Sequence, residues 1–136
     1  MKRRIIHSDQ VPPGRARISQ AVAFGDFVFV SGIVARDPAT GKTVSGGVAA
    51  QTRQILENTR SILEAAGTTL NHVIKMHCYL DDMDQFDAFN RVWEEFFPKD
   101  PPARICVQAG RLGPGFEVEI DSVAGLPRPN SRRTKK

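Results

Sequence analysis

Arg104 stands in Pro102-Ala103-Arg104-Ile105-Cys106-Val107, an otherwise strand-like stretch where a cation needs a partner. On a strand Arg104 and Cys106 point to the same side. A planar guanidinium is the side chain best suited to gripping a carboxylate through two parallel hydrogen bonds. Glu119 is likewise held between apolar Val118 and Ile120. Other chemistries lack their signatures: there is no P-loop, dinucleotide fingerprint, GxSxG, HExxH or pair of carboxylates at helical spacing. Gly110-Arg111-Leu112-Gly113-Pro114-Gly115 has neither phosphate-loop spacing nor a following helix and reads as a turn. Cys78 and Cys106 lie outside any CxxC and without histidine at ligand spacing, so neither a disulfide framework nor a metal site is expected. His7, His72 and His77 have no nucleophile beside them and read as surface or strand residues.

The elements that must position these groups follow from apolar periodicity. Arg3 to His7 reads as a short first strand, and Ala21 to Phe24 and Phe27 to Ser31 as an antiparallel hairpin across Gly25-Asp26, whose Gly-first order suits a type II′ turn. Asp37 to Lys42 and Ser45 to Gly47 read as loop. From Val48 to Ala66, the positions Val48, Thr52, Ile55, Leu56, Ile62, Leu63 and Ala66 draw one helical stripe, and Gly67 ends it. Gln51, Arg53, Glu57, Arg60 and Glu64 fall on the other face, with Arg53–Glu57 and Arg60–Glu64 as expected i,i+4 pairs. Val73 to Leu80 alternates as a strand. Asp81, Asp82 and Asp84 then lead a second helix anchored by Phe86, Phe89, Trp93 and Phe96 or Phe97 and stopped by Pro98. Ala103 to Val107 and Phe116 to Ala124 complete the order β-β-β-α-β-α-β-β.

Two helices with one apolar face each predict an α+β two-layer sandwich, both helices lying on one face of a mixed sheet. The other face retains apolar residues, which predicts a partner subunit over it. The 136 residues suffice for one domain, and 40% apolar with 25% charged residues is ordinary globular usage. No apolar run approaches a membrane span, and Ser8, Asp9 and Gln10 interrupt any export signal, so a soluble cytoplasmic protein is expected. The net charge of +4 resides at the ends. Lys2, Arg3, Arg4, Arg128, Arg132, Arg133, Lys135 and Lys136 carry it, leaving 11 basic against 15 acidic side chains in the body. Residues 1–125 are thus expected to form a single domain and residues 126–136 a basic, disordered tail. That tail is the sole support for nucleic-acid binding, and solvated terminal charge is its commoner explanation.

Pro102-Ala103-Arg104-x-Cys106-Val107, Gly110, Leu112 and Val118-Glu119-Ile120 together resemble the signature of the RidA family, also called YjgF or L-PSP endoribonuclease-like. Ser19-Gln20-Ala21-Val22, Val30-Ser31-Gly32, Gln51-Thr52-Arg53-Gln54-x-Leu56-x-Asn58, Glu64-Ala65-Ala66-Gly67 and Asn90-x-x-Trp93-x-x-Phe96-Phe97 fall in the family's order over about residues 15 to 125. The resemblance implies a chorismate mutase-like fold, a homotrimer with clefts between subunits, and hydrolysis of reactive 2-imino acids to 2-oxo acids and ammonia without metal or organic cofactor. It implies Arg104 as carboxylate clamp and Glu119 as the group that orients or activates water. The backbone at Cys106 would bind the imine nitrogen, with Ser31, Gly32 and Asn90 lining the cleft.

Each of these residues also has a purely structural reading. Arg104 also reads as an ion-pair partner of Glu119; Cys106 reads more readily as a small inert apolar residue than as a nucleophile; Asn90 also reads as a residue that caps or stacks on its helix, and Ser31-Gly32 as a strand end. Three positions depart from the imine-hydrolysing pattern: Ile18 where tyrosine is common, Ile33 where glutamine often follows Ser-Gly, and Ile105 where a smaller residue is usual. They put the substrate in question more than the reaction class. Deamination of a larger enamine of the aminomuconate or aminoacrylate type, an endoribonuclease or translation-inhibitor role, and a non-catalytic sensor of small ligands are the alternatives.

Overall fold

The computed structural model describes residues 1–128. Its strands are β1 (Arg4–Ile6), β2 (Ala21–Phe24), β3 (Phe27–Val34), β4 (Val73–Leu80), β5 (Ala103–Gln108) and β6 (Val118–Gly125), with helices α1 (Gly47–Ala66) and α2 (Phe86–Phe96). The sheet order is β1-β2-β3-β6-β4-β5. Only β4 and β5 run parallel, because α2 supplies the crossover that a parallel pair requires. The order and the α+β class match the sequence expectation.

The hairpin forms as the Gly-first turn predicts. Phe24 pairs with Phe27 and Gly25 carries φ 60°, a conformation open to glycine without steric cost. The strand after it runs three residues further than its apolar run suggests, since β6 pairs with Ile33 and Val34 beyond a register shift between Val30 and Ile33. Alternation on the strands turns Ala21, Ala23, Val28, Val30, Met76, Cys78, Leu80, Val118, Ile120 and Ala124 toward the helices. Ile55, Leu56, Ile62, Leu63 and Phe89 fill the core from the other side. The opposite sheet face leaves Ile5, Phe24, Phe27, Phe29, Ile105 and Val107 exposed.

Helix α1 closes at Gly67, with φ 88°. Its N–H donates to Glu64 O at 3.0 Å and Thr68 N–H to Leu63 O at 3.0 Å, satisfying carbonyls the last turn would leave free. Three helix details differ from expectation. Gln51 is buried rather than solvated, and its amide spans Val44 O, Gly115 O and Glu117 N, binding the Gly110–Gly115 turn to α1. Arg53 pairs with Glu95 on α2 at 2.6 Å, and Arg60 with Glu57 at 2.7 Å, in place of the two i,i+4 pairs. Neighbouring α2 offers Arg53 a carboxylate that the helix pattern alone does not reveal. Finally, Asp82 caps a short 3-10 turn over residues 83–85, accepting from Asp84 N at 2.9 Å, so α2 begins only at Phe86.

Leu126 still packs on the core, its N–H donates to Asp26 O at 2.8 Å, and Arg128 reaches Asp26 at 3.3 Å. The remainder of the expected tail, residues 129–136, lies outside the described residues. Among the described residues no helix is long and apolar enough to cross a membrane.

Candidate active site

Glu119 occupies the middle of the sheet, in register with Val34 on β3 and Tyr79 on β4. Because Val118 and Ile120 turn toward the helices, Glu119 stands on the open face. Its carboxylate lies against Gly32: a Cβ there would sit 3.0 Å from Glu119 Oε2 and 3.1 Å from its Cδ. Glycine at 32 is therefore what lets the acid rest on the kinked strand. Partial burial raises the Glu119 pKa, and the nearby Asp121 charge raises it further. Asp121 in turn holds His77 Nδ1 at 2.6 Å.

Ser31, beside Gly32, donates its hydroxyl to Ser19 O at 2.6 Å and its N–H to Gln20 O at 2.9 Å. Gln20 extends this latch, accepting from Ser8 N at 2.7 Å and donating to Ser8 O and Val11 O. The segment joining β1 to β2 is thereby folded against the kink in β3. Between them lies a cavity of about 290 Å³ that reaches Ser31 and Gly32.

Arg104 and Cys106 lie on the other side of the sheet. Arg104 is in register with Met76 and Cys106 with Cys78, both of which face the helices. The guanidinium passes under α2, donating from Nη1 to Asn90 Oδ1 at 2.8 Å. It stacks among three rings, 4.7 Å from the Trp93 centroid, 5.5 Å from Phe89 and 5.6 Å from Phe86. Burial raises the Cys106 pKa despite the pull of Arg104 and pushes Cys78 up to about 12, so neither thiol is activated as a nucleophile.

The six residues singled out from sequence thus form two groups. Ser31, Gly32 and Glu119 meet on the open face; Asn90, Arg104 and Cys106 meet on the helix-covered side of edge strand β5. Within one chain Arg104 does not pair with Glu119; Asn90 and the aromatic rings hold it instead. Asn90 lies within α2 rather than at its cap, and its Oδ1 accepts from the guanidinium. Sequence reasoning took Phe86, Phe89 and Trp93 as core anchors alone, and their spacing carries no sign that a cation lies beneath them. It also passed over the His77–Asp121 pair, whose signal was only their alternation onto one face of two strands.

Residues 9–126 match the family model described as Endoribonuclease L-PSP. A RutC family protein of Pyrococcus horikoshii is 42% identical over 120 residues, 88% of this chain and 95% of that one. A human protein named 2-iminobutanoate/2-iminopropanoate deaminase is 36% identical over 122 residues, 90% of this chain and 89% of its own. The crystal structure of RidA from an Antarctic Psychrobacter superposes with a TM-score of 0.87 at 36% identity, covering 90% of this chain and 99% of that one.

Proposed function

The chain belongs to the endoribonuclease L-PSP family, for which RidA and YjgF are further names, and from that we propose that it hydrolyses 2-imino acids to 2-oxo acids and ammonia in clefts between the subunits of a homotrimer. The deaminase name of the human relative supports the reaction class. The observation that carries the reading is the separation of Arg104 and Glu119 onto opposite faces of one sheet. A substrate spanning both groups needs Arg104 from one chain and Glu119 from another. The exposed apolar face around Glu119 gives the second chain a surface to cover.

In such a cleft each group has one task. The Arg104 guanidinium carries five N–H donors, and Asn90 occupies one of its nitrogens, leaving donors for both oxygens of the substrate carboxylate. The aromatic rings fix its plane, so little rotational freedom is lost when the carboxylate arrives. Backbone groups at Cys106 meet the imine nitrogen. Glu119 accepts a proton from water as the water oxygen bonds to the imine carbon; the C=N π electrons move to nitrogen, which takes up a proton. The resulting carbinolamine loses ammonia as its hydroxyl proton departs, leaving the 2-oxo acid. Neither step calls for an external oxidant or reductant.

Freshly generated 2-iminopropanoate and 2-iminobutanoate, followed by ammonia and 2-oxo acid release, test the proposal. Wild type should accelerate hydrolysis over the protein-free rate. Arg104→Ala should remove the acceleration while its circular dichroism spectrum stays native. No acceleration by folded wild-type protein would overturn the reading in favour of larger enamines or ligand sensing.

A further inference from the structure

Glu119 and Asp121 are two residues apart on β6 and share its open face, so two carboxylates stand side by side in a partly covered site. A neighbour that offsets the charge of one decides how readily the other ionises. Strand β4 runs beside them with Lys75, His77 and Tyr79 on the same face, in register with Val123, Asp121 and Glu119. His77 is the one that meets a carboxylate, its Nδ1 lying 2.6 Å from Asp121 Oδ1. On either side the face is apolar: β5 contributes Ala103, Ile105 and Val107, and β3 contributes Phe27, Phe29 and Val34. Lys75, Tyr79 and Glu119 are therefore the other titratable groups that the His77–Asp121 pair faces among the described residues. Each side chain of the pair is 35% exposed, so water only partly screens its charge from Glu119.

An ionised carboxylate can only accept, so Nδ1 carries a proton whenever Asp121 is charged. The contact persists whether or not the other ring nitrogen is protonated; what changes is the charge of the pair. With an imidazolium the pair is neutral as a whole, and Glu119 gives up its proton against little opposition. With a neutral ring the pair carries one negative charge beside Glu119, and the acid keeps its proton to higher pH. Histidine is the residue type that changes charge between about pH 5 and 8, so the two groups titrate as a coupled set. We propose that His77 is a positioning residue for Glu119: acting through Asp121, it sets the pH range over which Glu119 is ionised and able to take a proton from water. The inference rests on the imine-hydrolysis reading for its purpose and on the His77–Asp121 contact for its means.

Two variants of opposite sign test it in the intact protein. His77→Gln can still donate to Asp121 but is never charged, whereas His77→Arg is charged at every pH. The Glu119 carboxyl is followed by carbon-13 NMR of protein labelled at its glutamate carboxyls, the signal identified by its loss in Glu119→Gln. In parallel, kcat/KM for 2-iminobutanoate is measured over the same pH range. His77→Gln should move both the carboxyl titration and the acid limb of kcat/KM up by about half a pH unit, about a threefold loss of rate on that limb. His77→Arg should leave both at or below their wild-type positions. A Glu119 titration unmoved in His77→Gln, or displaced the same way in both variants, overturns the role. So does turnover whose acid limb ignores a displaced Glu119 titration, since Glu119 would then not be the base. Titrations that move as stated, with no imine turned over by wild type, would keep the coupling and sink the hydrolase reading.

Discussion

The environment of Glu119 makes a claim about pH. Its carboxyl is raised first by burial and then by Asp121, and a group that accepts a proton from water works only when ionised. Turnover should therefore fall with decreasing pH sooner than for an ordinary carboxylate. Asp121→Asn removes the like charge but leaves the burial, so it should lower the Glu119 pKa and move the acid limb of kcat/KM to lower pH. An acid limb unmoved by that substitution would remove Glu119 from the role of base. At this scale the sequence was legible wherever a residue's type contradicted its surroundings: Arg104 in a strand, Glu119 between Val118 and Ile120. It was silent on Gly32 as the seat of the acid, because that contact depends on a strand more than 80 positions away in the chain.

The elements were readable from period alone, with α1 and β4 starting and ending within a residue of expectation. Where sequence reading failed, a second element had intervened. The extension of β3 past Ser31 is dictated by its pairing with β6, and the Arg53–Glu95 bond by the packing of α1 on α2. Gln51 is the sharpest case: helical spacing puts it beside charged residues, yet it is 2% exposed because the turn before β6 folds over it. Gln51→Leu would strand backbone groups at Val44, Gly115 and Glu117. Unsatisfied buried groups cost about 1–3 kcal/mol each, and a net loss of about 3 kcal/mol is expected. In a domain of this size that lowers the thermal midpoint by roughly 10 °C, measurable by differential scanning calorimetry. A shift within experimental error would mean that water replaces the amide.

For the whole molecule, the consequence of splitting the candidate groups between two faces can be tested without knowing the physiological substrate. Arg104→Ala and Glu119→Gln should each be inactive alone. If the two are unfolded and refolded together at equal concentration, random assembly joins an intact Arg104 to an intact Glu119 at about a quarter of the interfaces of a closed ring. Activity should return to roughly that fraction of wild type. No recovery, with mixed oligomers verified by mass spectrometry, would place both groups in one subunit's site or remove one from the reaction. The open face on which this rests was foreseen from the apolar alternation of its strands, and Phe24, Phe27 and Phe29 do stand exposed in the single chain.

Trp93 is the chain's one tryptophan, and its indole lies 4.7 Å under the Arg104 guanidinium. The group proposed to receive the substrate carboxylate is therefore in contact with the dominant natural fluorophore. A carboxylate that draws charge from the guanidinium changes the field across the indole, so a titration with a 2-oxo acid should register as a change in emission. Arg104→Ala should abolish that response and alter the resting spectrum. Occupancy can then be followed optically in the unlabelled protein, on a stopped-flow timescale and without waiting for product.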